Sequence, residues 1–130
     1  MSQSVKNVSF DEQILEHGIE FAGLITKNGH LIDCKTKNHI NFSNEQKEMF
    51  FMSCSLQQRM HQDYDDKFGK VKYTITERED YRIITIPQGS DTLIFVMDKH
   101  GAFFSRVRKL LKAINHMKNL GPSTNTEDGV

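Results

Sequence analysis

At 130 residues the chain has room for one domain with a single core, and Leu, Ile, Val and Phe supply about a quarter of it, enough to drive folding. Lys plus Arg and Asp plus Glu balance at 17 each, which excludes the overall positive field on which nonspecific nucleic-acid or membrane binding depends. The longest apolar run, Leu93–Met97, is far short of the ~20 residues that span a bilayer, and the opening MSQSVKNVSF lacks the apolar core of a secretion signal, so a soluble cytoplasmic protein is expected.

Ser9 and Glu12 have the spacing of a capping box, in which each side chain satisfies an orphan N–H of the first helical turn. A short helix follows, with Phe10 and Ile14 on its apolar edge and Gly18 as its stop. In FAGLITKNGHLIDCKT two apolar runs flank Asn28-Gly29, a dipeptide suited to a type I′ turn. A hairpin is predicted, with strands over Ile19–Thr26 and His30–Thr36, and Gly23 inside the first strand suggests that another backbone or a helix packs closely there. Ser43 and Gln46 form a second capping box and open a long helix to Tyr64, in which Met49, Met52, Leu56 and Met60 recur at the spacing of one buried stripe. Phe50 and Phe51 lie partly off that stripe, and Phe68 and Gly69 mark the exit.

Three strands are then expected in close succession: Lys70–Glu77, in which Val71, Tyr73 and Ile75 alternate with polar residues, Tyr81–Ile86, and Thr92–Met97 after a turn over Pro87–Asp91. The unbroken apolar run of the last strand suggests a central place with both faces covered. From Ala102 the period returns to helical, with Phe103, Phe104, Val107, Leu110, Leu111, Ile114 and Met117 on one stripe. Gly121-Pro122 ends this helix, so the predicted domain covers 9–120, with 1–8 and 121–130 as flexible termini.

This order of helix, two strands, helix, three strands and helix resembles the roadblock/dynein light chain family, chiefly through the hairpin FAGLITKNGHLI, the long helix through Leu56 and the meander from Val71 to Met97. The chain is also similar to small roadblock-like proteins of ammonia-oxidising archaea in Phe21–Gly23 and in MFFMSCSLQQRM. The resemblance implies an α+β sandwich of roadblock/profilin-like type: a five-stranded antiparallel sheet of order 2-1-5-4-3, with the long helix on one face and two helices on the other. It further implies a homodimer in which third strands pair edge to edge and long helices pack antiparallel. Here the interface would draw on Phe50, Phe51, Val71, Tyr73 and Ile75, and an edge rich in strand formers does need a cover. By resemblance, the partner beyond a second copy is a Ras-like small GTPase or a signalling complex.

Sequences that could carry chemistry are weaker. Gly18 and Gly23 have the spacing of a phosphate-binding loop, but Leu24 and Ile25 stand where its Lys and Ser/Thr belong. Asp63, Asp65 and Asp66 fail as a calcium loop because Lys67 and Phe68 replace an oxygen ligand and a glycine. His30, Asp33, Cys34 and His39 include zinc-type ligands, yet on a strand His30 and Cys34 face away from Asp33. Cys54 and His61 are two helical turns apart, roughly 10 Å in rise, too far for a thiolate–imidazole pair. Both cysteines read as reduced and partly buried. Arg106, Arg108, Lys109 and Lys112 give the last helix a basic face that could contact anions, but without aromatics for base stacking a solvated face is the better reading and nucleic acid is disfavoured.

Together these readings point to a dimerising scaffold or regulatory module that is not an enzyme and uses no cofactor or metal. The rival is a small-molecule sensor, since a five-stranded meander flanked by helices also resembles PAS and GAF domains.

Overall fold

The computed structural model describes residue 10 and residues 18–37, 40–99 and 103–119. The short helix expected after Ser9 and the segments 1–8 and 121–130 lie outside the described residues, apart from Phe10 and Gly18. The elements are β1 (Ile19–Ile25), β2 (Leu31–Thr36), α1 (Asn44–Gln62), α2 (Asp65–Phe68), β3 (Thr74–Glu77), β4 (Arg82–Gln88), β5 (Asp91–Met97) and α3 (Phe103–Asn119). They form one sheet of order β2-β1-β5-β4-β3, antiparallel throughout, as expected.

Because strand side chains alternate between faces, β5 at the centre builds two core layers at once. Leu93, Phe95 and Met97 join Ala22, Leu24, Ile84 and Ile86 in a layer covered by Val107, Leu110 and Ile114 of α3. Burying each of these α3 side chains contributes about 1.5–3 kcal/mol. Phe10 meets Phe95 edge-on in the same layer, with ring centroids 6.1 Å apart. Ile94 and Val96 face the other way, joining Ile25, Phe51 and Cys54 under α1. The central strand is therefore fully covered, and residues 92–97 are buried without a break.

Three local details differ from the sequence reading. The β1–β2 connection is a three-residue loop, Lys27-Asn28-Gly29, closed by Thr26 N–H to the His30 carbonyl at 2.8 Å and Gly29 N–H to the Thr26 carbonyl at 2.9 Å. Gly29 has φ +83°, so the residue that suits a two-residue turn serves equally at the left-handed end of a longer one. The β4–β5 turn shrinks to Gly89 and Ser90, because Gln88 pairs with Asp91 and prolongs both strands. β3 begins at Thr74 and not at Lys70: continuing its register past Thr74↔Thr85 would set residue 72 against Pro87, which has no N–H to contribute.

At the foot of the sheet Arg106 ties three segments together. Its Nη2 lies 2.9 Å from Asp98 Oδ1 and donates to the Gly18 carbonyl at 3.0 Å, joining α3 to the end of β5 and the start of β1.

Among the described residues no backbone or helix makes the close approach expected at Gly23: the near neighbour is the ring of Phe21, which an added Cβ would meet at 2.8 Å. Backbone meets backbone at Gly29 instead: a Cβ there would lie 3.0 Å from the Met52 Cα. We predict that Gly29→Val costs about 2 kcal/mol or more in urea unfolding, from left-handed strain plus collision with α1. Gly89→Ala, at φ +63° but facing open space, should cost only about 1 kcal/mol.

The two cysteines also part company, since Cys34 is exposed and Cys54 buried. Burial raises the Cys54 thiol from 9.0 to about 11. A group whose folded pKa is raised gives its full stability below the unfolded value and loses it as pH climbs toward the folded one. Stability should therefore fall between pH 9 and 11 by about 1.4 kcal/mol per pH unit, and comparison of chemical unfolding with Cys54→Ala should isolate this loss. In the native protein one thiol should react with an aromatic disulfide reagent and the second only on unfolding.

Candidate interaction surface

The long helix is held at its start by the expected capping box, Ser43 accepting from Gln46 N–H at 3.1 Å and Gln46 accepting from Ser43 N–H at 3.0 Å. Its inner face consists of Phe51, Cys54, Ser55 and Gln58. The periodicity of Met49, Met52, Leu56 and Met60 pointed to a different buried stripe, and the structure corrects that expectation: these four are 71, 54, 48 and 57% exposed. The physical reason is a seating contact that spacing does not reveal. The β1–β2 loop rests on the middle of α1, where the Ser55 hydroxyl donates to the Lys27 carbonyl and Gly29 sits against the backbone of Phe51 and Met52. Phe51 stacks on Phe21 with centroids 5.9 Å apart, which completes the rotation of the helix.

An apolar stripe therefore runs along the outside of α1, and Tyr64, 60% exposed, extends it. Phe68 at the end of α2 is 85% exposed. Gly69, at φ +82°, turns the chain there. The stripe lies on the same side of the sheet as a groove of about 890 Å³ between α1 and the β3–β4 connection, bordered by Met49, Phe50, Ser53, Tyr81 and Ile83. The Phe68 ring lies beside Tyr64, centroids 6.4 Å apart. The groove had no sequence signal, because it depends on how α1 is seated on the sheet.

The residues expected at an interface are not brought together as one patch. Phe51 is 4% exposed and belongs to the core of the single chain. Phe50 is half-buried between Phe42 and Phe51. Val71 and Ile75 are half-buried, and Ile75 packs on the α3-side core. Tyr73, 42% exposed, is the most open of the five. β3 is nonetheless the end strand of the sheet. Its last residue is anchored: Glu77 pairs with Lys99 at 2.7 Å and Arg82 at 2.6 Å, and those two hydrogen bonds hold its carboxyl below the usual carboxylate range.

The basic face of α3 loses one member. Arg106 is committed to Asp98 and Gly18, while Arg108, Lys109 and Lys112 are exposed. Asp33 Oδ1 accepts from Cys34 N–H at 2.9 Å, a local strand contact. Among the described residues no group of three or more His, Cys, Asp or Glu is placed to hold a metal ion, and no helix is long and apolar enough to cross a membrane.

No protein-family model and no curated protein matches the chain. Solved structures do. A roadblock/LC7 domain from Streptomyces avermitilis is similar at TM-score 0.65 and 8% identity, over 87% of this chain and 98% of that one. MglB of Myxococcus xanthus is similar at TM-score 0.66 and 13% identity, over 83% of this chain and 88% of that one. An MglB with a tetrameric arrangement is similar at TM-score 0.64 and 12% identity, over 91% and 89%. With the strand order, the helix on each face and these likenesses agreeing, the chain has the roadblock/LC7 fold.

Proposed function

We propose that this protein is a dimerising scaffold or regulatory module whose work is done by its surface. The observation that carries the reading is the apolar stripe on the outside of α1. Five large side chains from Met49 to Tyr64, each about half exposed or more, would be a liability on a lone soluble chain and a natural seam between two helices. The stripe runs from Met49 to Tyr64 with Leu56 near its midpoint, and its part within α1, Met49 to Met60, is about 16 Å long. Antiparallel packing of two copies would set Leu56 beside its mate and Met49 near Tyr64 of the other copy. The same two-fold axis would let the β3 edges pair, extending the sheet through both copies.

The tetrameric arrangement belongs to the similar MglB, and it supports self-association as a use of this fold. The resemblance to the roadblock family supports a Ras-like GTPase or a signalling assembly as the further partner, docking on the surface that dimerisation leaves. Exposed Arg108, Lys109 and Lys112 on the opposite face of the sheet are available for contact with acidic groups.

Sedimentation equilibrium of the pure protein should give twice the chain mass of 15.0 kDa. Leu56→Asp should yield the single-chain mass with an unchanged circular dichroism spectrum, since Leu56 takes no part in the core clusters. A wild-type monomer at high micromolar concentration would remove the reading. For the GTPase, wild-type and Leu56→Asp baits should be compared in affinity capture from the source organism. Enrichment of a Ras-like GTPase by the wild type alone is expected, and capture of none counts against that partner.

A further inference from the structure

Two features on the α1 side of the sheet have complementary shapes. One projects. Phe68 is 85% exposed, its ring lies against that of Tyr64, itself 60% exposed, and the pair stands just past the C-terminal end of α1. The other is hollow: the groove of about 890 Å³ beside the N-terminal half of α1, walled by Met49, Phe50 and Ser53 of the helix and by Tyr81 and Ile83 across from it. Within one copy the two stand at opposite ends of α1, a helix about 28 Å long, so the projection cannot fill its own groove.

A two-fold axis would bring them together through two separate registers. With α1 helices antiparallel about Leu56, residues 63 and 64 of one copy come level with residues 49 and 48 of the other, at the wall of its groove. With β3 edges paired antiparallel, Thr74 at the start of one strand lies beside Glu77 at the end of the other. The segment that leads from Phe68 into β3 then runs alongside Arg78–Tyr81 of the other copy, the opposite wall of the same groove. Helix and strand thus deliver Phe68 to one place independently. Charge agrees with shape: Glu45, Glu79 and Asp80 border the groove against Arg78 alone, while the chain after Phe68 carries Lys70 and Lys72 and no acid before Glu77.

We propose that Phe68, backed by Tyr64, is an anchor that seats in the groove of a second copy, each copy of the dimer doing this to the other. The inference rests on the dimer proposed above and adds the residue that fixes its register. A seam of flexible Met and Leu side chains can slide, whereas one aromatic ring in one hollow sets a single position. Two-fold symmetry gives two such contacts, one at each end of the seam.

The chain has no tryptophan, so Phe68→Trp places a single fluorophore at the anchor. In the dimer its emission should be blue-shifted and shielded from acrylamide. In Leu56→Asp carrying the same change, emission and quenching should match free tryptophan. Ser53→Arg, at an exposed position on the groove wall, should release the fluorophore likewise. Phe68→Ala should weaken the dimer about tenfold or more in sedimentation, with an unchanged circular dichroism spectrum. A Phe68→Trp dimer that emits as free tryptophan, shielding that persists in Leu56→Asp or Ser53→Arg, or a Phe68→Ala dimer of wild-type affinity would overturn the proposal. Sedimentation reads assembly and fluorescence reads the anchor, so a dimer with a solvated fluorophore sinks the anchor alone, and a wild-type monomer sinks both.

Discussion

A glycine with no Cβ allows the β1–β2 loop to lie directly against the middle of α1, and the rest of the helix-bearing face follows from that seat. Ser55 reaches the Lys27 carbonyl from the helix, and Gly29 comes up to the backbone of Phe51 and Met52. These contacts leave α1 one rotation about its axis. Phe51, Cys54 and Gln58 then point at the sheet, and Met52, Leu56 and Met60, about half a turn away, point out.

The two sides of the sheet are consequently unequal. Against α3 the core is a continuous apolar layer that takes residues from four strands, β1, β4 and β5 with Ile75 of β3 alongside, and from β2 through Ile32. Under α1 it is smaller, aromatic at one end and polar at the other, with open space on both flanks of the helix. Stability is concentrated where α3 packs. Recognition has room on the α1 side, where groups that would otherwise fill a core remain available. This division suits a fold whose rigid half holds the geometry while the other half presents surface.

The outer stripe and the inner face of α1 make different demands. Met, Leu and Tyr along α1 offer flexible, polarisable contacts fitted to another helix. Gln58, by contrast, is buried on the sheet-facing side of the same helix. One helix thus carries an exposed apolar face and a core-facing one, separated by rotation alone.

Chain-local chemistry determined much of this protein in advance. Alternation in β3, the apolar run of β5, the capping box at Ser43 and the loop at Asn28-Gly29 depend on neighbours a few residues apart, and each element is present, although β3 starts only at Thr74 and the loop is one residue longer than a type I′ turn. Resemblance to roadblock proteins supplied the strand order, which the structure bears out. Which of two candidate stripes on α1 is buried was a tertiary decision, because Met49–Met52–Leu56–Met60 and Phe51–Cys54–Gln58 have the same helical spacing. Only the distant contact with the β1–β2 loop separates them. The same holds for Arg106, drawn from the basic face by Asp98 and Gly18, and for the polar end of the α1 layer, whose members come from three elements. Periodicity reports that a face exists; its direction is set by what packs against it.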